Sequence, residues 1–373
     1  MVAPNQGLED IVVGTSSICD VNGKTGQLIY RGYDIHDLVA HSTFEEVVYL
    51  LWHEDLPTQA QLSQIDSELK ASRSLPSPVV AMMKQLPKTA NPMDALRTIV
   101  SLLGVYDPDG RDNSIEATRR KAVRLTAQMP TAIGAFHRIR QGKEIVEPDR
   151  NLSAAANMLY MLNGEKPDEY AVRTMDVALV LHADHEFNAS TFSARVTIAT
   201  LSDLYDAITA AIGTLSGPLH GGANEQVMRM LLQVGDEDKA EQWIRDALAK
   251  RERIMGFGHR VYKTDDPRAV ELKEMSRELG ERAGQPQWFR MSDRIQRVML
   301  EEKHLYANVD FYSASAYYVM GIPIDLYTPL FAASRVSGWS AHVMEQLESN
   351  RLIRPRSEYT GPTDKKVVPI GQR

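Results

Sequence analysis

The sequence predicts a mainly α-helical protein of two domains, fronted by a small β-hairpin. Three observations carry that prediction. Helix-capping signals recur from about residue 42 onward, whereas the first thirty residues alternate β-branched and polar positions. Glycine and proline also cluster at Gly217-Pro218, Gly221-Gly222 and Gly321-Ile322-Pro323, on either side of a segment with amphipathic patterns of its own.

The hairpin is expected in IVVGTSSICDV and GQLIYRG, around the turn-forming Asn22-Gly23. Ser42 with Glu45 then reads as a capping box ahead of EEVVYLLW. Ser77-Pro78 and Asn91-Pro92 each read as an N-cap followed by proline at the first helical position. A long helical pattern runs from Ser114 to Arg140, with a kink or break expected at Pro130, which has no backbone N–H to donate. Further helical periods span 152–162, 168–182 and 189–212. The glycine–proline clusters mark two crossings of one boundary, so residues 1–221 and 322–373 are expected to form a discontinuous large domain and 222–321 a small one. Such an arrangement leaves a cleft that can close on a substrate.

Composition narrows the function. With 373 residues, 43% of them hydrophobic and 24% charged, the chain can bury a large core and has the balance of a soluble globular protein. A formal charge of −7 argues against a general nucleic-acid surface, so any anion site has to be built locally. The one cysteine, Cys19, excludes an internal disulfide and falls in the hairpin, which is expected to lie away from the histidine segments. The start, MVAPNQGLED, has neither the basic residues nor the apolar run of a secretory signal, and no apolar stretch reaches the roughly 20 residues needed to span a bilayer. A cytoplasmic location without membrane insertion is the expectation. GxSxG, GxxxxGK[ST] and GxGxxG motifs are all missing, which disfavours a covalent intermediate and a nucleotide fold.

Four segments concentrate reactive side chains beside turns: LHADHEFNAST around His185, GPLHGGAN around His220, GFGHRVYKTDDPR around His259, and NVDFYSAS around Asp310. In the third, Gly256 and Gly258 let the backbone come close to a ligand, His259 can exchange a proton near neutrality, and Arg268 can clamp a carboxylate through two parallel bonds. His220 is enclosed by Gly217, Pro218, Gly221 and Gly222, which leave little bulk for it to pack against; a hinge histidine bonded to a carbonyl is the plainer alternative. Asp310 suits a cleft base, and equally a first-turn acid favoured by the helix dipole. His182 and His185 are three apart, as a metal pair on one helix face would be, but also as in an ordinary polar helix end; no HExxH or HxxEH pattern supports a metal.

Taken in order, these segments resemble citrate synthase, in the shorter form found in many bacteria and archaea. SSICDVNGKTGQLIYRGYDI near the N-terminus and SRVSGW, AHVMEQ and NRLIRPRSEYTGP near the C-terminus extend the resemblance over nearly the whole chain, and 2-methylcitrate synthase fits the same motifs. The resemblance implies a mainly α, two-domain homodimer that condenses acetyl-CoA with oxaloacetate and water, needs no cofactor or metal, and works in the tricarboxylic acid cycle. It implies that Asp310, His220 and His259 are catalytic, that His185, Arg268, Arg335 and a partner-borne Arg354 bind oxaloacetate, and that Lys263 and Arg260 bind CoA. Assembly beyond the dimer stays open, and the chain is expected to lack the extra N-terminal domain of the larger NADH-inhibited enzymes. Where family members often carry proline before Asn308, this chain has Ala307, expected to loosen the loop ahead of Asp310. Three alternatives are a 2-methylcitrate synthase using propionyl-CoA, a metal-dependent hydrolase using His182 and His185, and a helical scaffold without catalysis.

Overall fold

The computed structural model describes residues 6–8 and 11–373. Its only sheet among those residues is a three-stranded antiparallel one, β1 (Cys19–Asn22), β2 (Gln27–Tyr30) and β3 (Tyr33–Asp34), paired in chain order with Cys19 opposite Tyr30. The hairpin is present but its loop is the four residues 23–26, not the two-residue Asn22-Gly23 turn. Asn22 caps that loop by accepting the backbone N–H groups of Lys24 and Thr25, and Gly26 takes the positive φ of 68° that closes it. No strand forms over Ile11–Val13, which is exposed.

Helices follow: α1 (Ile35–His41), α2 (Phe44–His53), α3 (Gln59–Ala71), α4 (Ser77–Met83), α5 (Pro92–Val105), α6 (Ile115–Arg140), α7 (Ala154–Asn163), α8 (Glu169–His182), α9 (Ala189–Ile198) and α10 (Leu204–Leu215). Side chains of Thr43, Thr58, Asn91, Ser114, Ser153, Asp168, Asn188 and Asp203 cap their first turns. Each such cap is worth about 1 kcal/mol. The capping box ahead of EEVVYLLW is one residue later than the sequence suggests, Thr43 with Glu46, because Ser42 instead closes α1 by donating its hydroxyl to Leu38 O. Glu45 is freed to accept the Ala154 N–H at the start of α7. Asn91-Pro92 is as read, whereas Ser77 lies inside α4 and caps nothing. Pro130 does not break α6, whose packing on α5, α7 and the C-terminal helix offsets the single missing donor. The period over 189–212 is two helices, separated where Leu201 turns to φ 62° and Asp203 caps α10.

The remaining helices are α11 (Ala223–Val234), α12 (Ala240–Ala249), α13 (Pro267–Arg282), α14 (Gln287–Lys303), α15 (Val309–Val319) and α16 (Tyr327–Glu348). Helices α11 to α15 pack mainly on one another, with α13 also resting on α1 and α8. Every residue of α16 from Tyr327 to Met344 is buried, with α2, α6, α8, α9 and α10 around it. A helix buried on all sides is a core helix, and its small residues Ala332, Ala333, Ser334, Ser337, Gly338 and Ala341 allow the neighbours to approach closely. The nearest approach is at Gly338, where an added Cβ would come within 2.2 Å of Ala183 O and 2.5 Å of Asp184 Oδ1.

A buried polar chain fixes the same crossing. Arg195 of α9 donates to Glu345 at 2.6 Å and to His342 Nδ1 at 3.0 Å, and His342 Nε2 donates to Asp184 Oδ2 at 3.2 Å. Glu345 also accepts the Ser17 N–H at 2.8 Å, and Tyr30 of β2 donates to Asp184 O at 2.8 Å. Hairpin, α9, α16 and the loop after α8 are thereby tied together. Gly338→Ala is expected to cost about 3 kcal/mol or more in urea unfolding, as an overpacked rigid crossing does; an unchanged midpoint would show that α16 and the Ala183–Asp184 backbone part freely.

Candidate active site

Three helix ends, the middle of α16 and two glycine turns converge on one set of side chains. His182 ends α8 and His185 stands in the loop that leads to α9. His220 is carried by the 217–222 turn, His259 and Tyr262 by the loop ahead of α13, Arg268 by the first turn of α13, Asp310 by the first turn of α15, and Arg335 by the buried α16. The fields of Arg268 and Arg335 act on His185, His220 and Asp310 alike, so the structure brings these predicted residues together.

Hydrogen bonds decide which nitrogen of each neutral imidazole carries the proton. His220 Nε2 faces the Ser190 N–H at 3.3 Å and the Ser190 hydroxyl at 2.8 Å. Accepting there, it keeps its proton on Nδ1. Trp339 Nε1 holds the same Ser190 hydroxyl at 3.1 Å. His259 Nδ1 accepts the N–H groups of Val261 at 3.0 Å and Tyr262 at 3.2 Å, leaving its proton on Nε2. Burial, with Arg335 and Arg268 nearby, lowers His220 to about 4; burial and Arg268 lower His259 to about 4. His185, packed against His259 with ring centroids 5.1 Å apart, is lowered well below the usual range by burial and Arg268. All three are neutral donors near pH 7.

Asp310 has the opposite character. It is buried, its Oδ1 has no hydrogen-bond partner among the described residues, and burial pushes its pKa up to about 7 against the opposing field of Arg268. Arg335 is likewise incompletely satisfied: Nε donates to His182 O at 2.6 Å while the buried Nη2 has no partner, and burial lowers it to about 10. Arg268 forms a bidentate pair with Asp266 at 2.9 and 2.7 Å, leaving Nη1 outside that pair. Buried, half-satisfied guanidinium groups next to neutral N–H donors are a site for a small anion.

The strap that holds Asp310 is firm. Gly258 N–H donates to Tyr306 O, Asn308 N–H to Gly256 O and Asn308 Nδ2 to Gly258 O, all within 3.0 Å, and Phe257 pairs with Ala307 in a β-bridge. Ala307 therefore does not loosen the loop, because the 256–258 backbone holds it. Gly256 is required there: at φ 84° its added Cβ would meet Val227 at 2.7 Å and Phe311 at 2.8 Å. A cavity of about 210 Å³ opens beside the strap, lined by His259, Tyr262, Lys263, Leu305, Tyr306 and Ala307 among others.

Other predicted residues fall differently. Lys263, on the cavity wall, and Arg260 are exposed, with Lys263 donating to Arg260 O at 3.1 Å. Arg354 is exposed on the C-terminal segment that follows α16. Cys19 is not remote from the histidine segments, since the hairpin folds back onto the loop after α8. It lies beside Asp184, where burial and that carboxylate push the thiol well above its ordinary pKa. His182 donates Nδ1–H to Ala178 O at 2.7 Å, and among the described residues no group of three His, Cys, Asp or Glu side chains is arranged to hold a metal. Sequence reading missed Ser190, Tyr262 and Asp266 as site residues. All three stand inside the quoted motifs, and the Asp266-Pro267 N-cap signal was available.

The family model described as "Citrate synthase, C-terminal domain" matches residues 7–356. The chain is 53% identical to a protein of Haloferax volcanii named citrate synthase, over 99% of this chain and 98% of that one. It is 44% identical to 2-methylcitrate synthase 1 of Corynebacterium glutamicum, over 99% and 98% of the two chains. A solved ternary complex of Thermoplasma acidophilum citrate synthase with carboxymethyl coenzyme A and oxaloacetate superposes with a TM-score of 0.92 at 32% identity, covering 98% of each chain. A mainly helical body with a small N-terminal sheet, the ordered motifs and this coverage agree, and the chain belongs to the citrate synthase family.

Proposed function

We propose that the chain condenses acetyl-CoA with oxaloacetate and water, giving citrate and CoA. The observation that carries this reading is Asp310, a buried carboxyl without a partner at Oδ1 and raised to about 7, grouped with histidines that keep an N–H free. A thioester α-proton is too weakly acidic for an ordinary carboxylate alone. Asp310 removes it from the acetyl methyl while His220 Nδ1–H donates to the thioester oxygen, so the enolate charge is met as it forms. His259 Nε2–H polarises the ketone of oxaloacetate and protonates the new alkoxide once the enolate carbon has bonded to the carbonyl carbon. Water then cleaves the citryl thioester, releasing CoA and making the sequence effectively irreversible.

Binding follows the charges. His185, Arg268 and Arg335 hold the two carboxylates and the keto oxygen of oxaloacetate, with Arg354 completing the clamp from the partner in a homodimer. Lys263 and Arg260 take phosphate charge of CoA at the exposed side of the cavity. Residues 222–321 form a small domain that closes on the large one, 1–221 with 322–373, excluding water from the thioester. The reading needs no resident cofactor and places the enzyme in the cytoplasm; among the described residues no helix is long and apolar enough to cross a membrane. The likeness to a 2-methylcitrate synthase supports a second reading in which propionyl-CoA is the better substrate. One methylene is worth about 1 to 3 kcal/mol, so the shared motifs do not separate the two.

CoA release with oxaloacetate, measured for acetyl-CoA and propionyl-CoA in the presence of chelator, tests the reading. A higher kcat/KM with acetyl-CoA, lost in Asp310→Ala, is expected; preference for propionyl-CoA would favour the second reading, and no release with either would sink both.

The carboxylate form of Asp310 is the active one, so kcat/KM should rise with pH through about 7, while the histidines, already neutral, add nothing between pH 6 and 8. A raised carboxyl pKa means that the folded state is penalised as pH climbs from the unfolded value, about 4, toward 7. Asp310→Asn should therefore gain thermal stability over the parent at pH 8 but not at pH 4, while losing turnover; equal melting shifts at both pH values would refute the unpaired-base assignment.

Partner sharing makes a separate prediction. Arg354→Ala and Asp310→Asn homodimers should both be nearly inactive, yet random mixing should restore roughly a quarter of parental activity, since half the dimers then hold one intact site. Mixing that restores nothing would place Arg354 in its own subunit's site, and an active Arg354→Ala homodimer would place it outside any.

A further inference from the structure

Tyr262 packs against His185, His259 and Arg268 at once. It is 4% exposed, its ring centroid lies 5.5 Å from that of His185 and 4.7 Å from that of His259, and the Arg268 guanidinium carbon stands 6.0 Å from the ring. Its hydroxyl is 3.2 Å from His185 Nε2 and has no other hydrogen-bond partner among the described residues. Its backbone N–H meanwhile donates to His259 Nδ1 at 3.2 Å.

We infer that Tyr262 is a positioning residue for the keto-acid substrate, donating its hydroxyl proton to His185 Nε2 and thereby leaving the His185 proton on Nδ1, free for the substrate. The inference rests on the proposed reaction and deepens it. The direction of the bond follows from what His185 has to do. If Nε2–H donated to the hydroxyl instead, Nδ1 would present a bare lone pair to an anionic ligand, and the phenolic hydrogen would have no acceptor. With the phenol as donor, both groups are satisfied and His185 keeps an N–H for a carboxylate or keto oxygen. Burial pushes the Tyr262 phenol well above its ordinary pKa, so it stays protonated throughout the working range and this assignment does not lapse with pH. The backbone of the same residue sets the His259 tautomer, which makes Tyr262 a common support for two donors aimed at one substrate.

Tyr262→Phe removes the hydroxyl and keeps the ring. Expected are a rise of about tenfold in KM for oxaloacetate, kcat within about threefold of the parent, and an unchanged KM for acetyl-CoA. A merely structural role would move all three together. The tautomer is read directly by long-range ¹H–¹⁵N spectra of protein labelled at histidine: the parent should show His185 protonated on Nδ1, and the variant should lose that preference. An unchanged KM for oxaloacetate, or parental His185 spectra with the proton on Nε2, would overturn the inference. Should the Phe variant fold poorly, 3-fluorotyrosine at position 262 is a stronger donor of the same shape; it should shift the His185 Nε2 resonance, and no shift would count against the assignment. Failure of the proposed reaction is distinguishable, because it would appear as no CoA release from the parent.

Discussion

The distance at which α16 crosses the end of α8 governs the rest of the molecule. At Gly338 the two elements are separated by less than a methyl group would occupy, and the contact is with the backbone of Ala183 and the carboxylate of Asp184. Rigid backbone and a buried charge cannot give way as a flexible side chain can. Asp184 is held from the other directions by His342 and Tyr30, and the Arg195–Glu345 pair extends the connection to α9 and to the segment before β1. Because His185 is the next residue and Arg335 lies one turn before Gly338, this single crossing sets where two of the groups proposed to bind oxaloacetate stand. Ser334 and Ser337 of α16 donate to the carbonyls of Leu179 and Ser334, whereas the buried hydroxyls of Ser340 and Tyr327 have no partner among the described residues.

Within that frame, the site holds charged groups whose bonding is incomplete. Asp310 Oδ1 and Arg335 Nη2 are both buried without partners, a state that costs each of them roughly 1 to 3 kcal/mol or more. Neither deficit arises from poor packing, because the neighbouring elements are pinned: the 256–258 strap holds the entry to α15, and the His182 carbonyl fixes the other side of Arg335. A fold that keeps these groups unpaired has to support them with surplus stability elsewhere, here in the all-round burial of α16 and in the caps of its helices. The histidines follow the same logic in neutral form. Each has one nitrogen occupied by a hydrogen bond from the protein, Ser190 for His220, the Val261 and Tyr262 amides for His259, Tyr262 for His185, and one left for a ligand.

Much of this could be read from the order of residues alone, because the signals are local. Asn91-Pro92, Ser114 and Asp168 start helices for reasons contained within four residues of chain, and the glycines of GFGHR announce a backbone that must bend and approach. Errors arose where local signals competed. Ser42 and Thr43 are both capable caps, and the choice between them depended on Leu38 O at the end of the preceding helix. Pro130 lowers helicity in isolation, but burial of α6 on three neighbours overrides one lost hydrogen bond. Cys19 looked remote from the histidines because distance along the chain says nothing about a hairpin that folds back onto Asp184.

The sequence by itself determined the helical class, the family resemblance and the identities of the reactive residues, since composition, caps and motifs are properties of short stretches. Only the tertiary structure decided which imidazole nitrogen carries each proton, that Asp310 is unpaired while Arg268 is paired, and that Tyr262 supports two histidines. Some depend on partners 30 to 150 positions apart, such as Ser190 with His220 and Trp339 with Ser190; others, such as Asp266 with Arg268 or the Val261 amide with His259, depend on how a short loop folds and on whether water reaches a buried atom. Hydrogen-bond direction and desolvation are set by what surrounds a group in space, and a linear chain does not contain that information until it has folded.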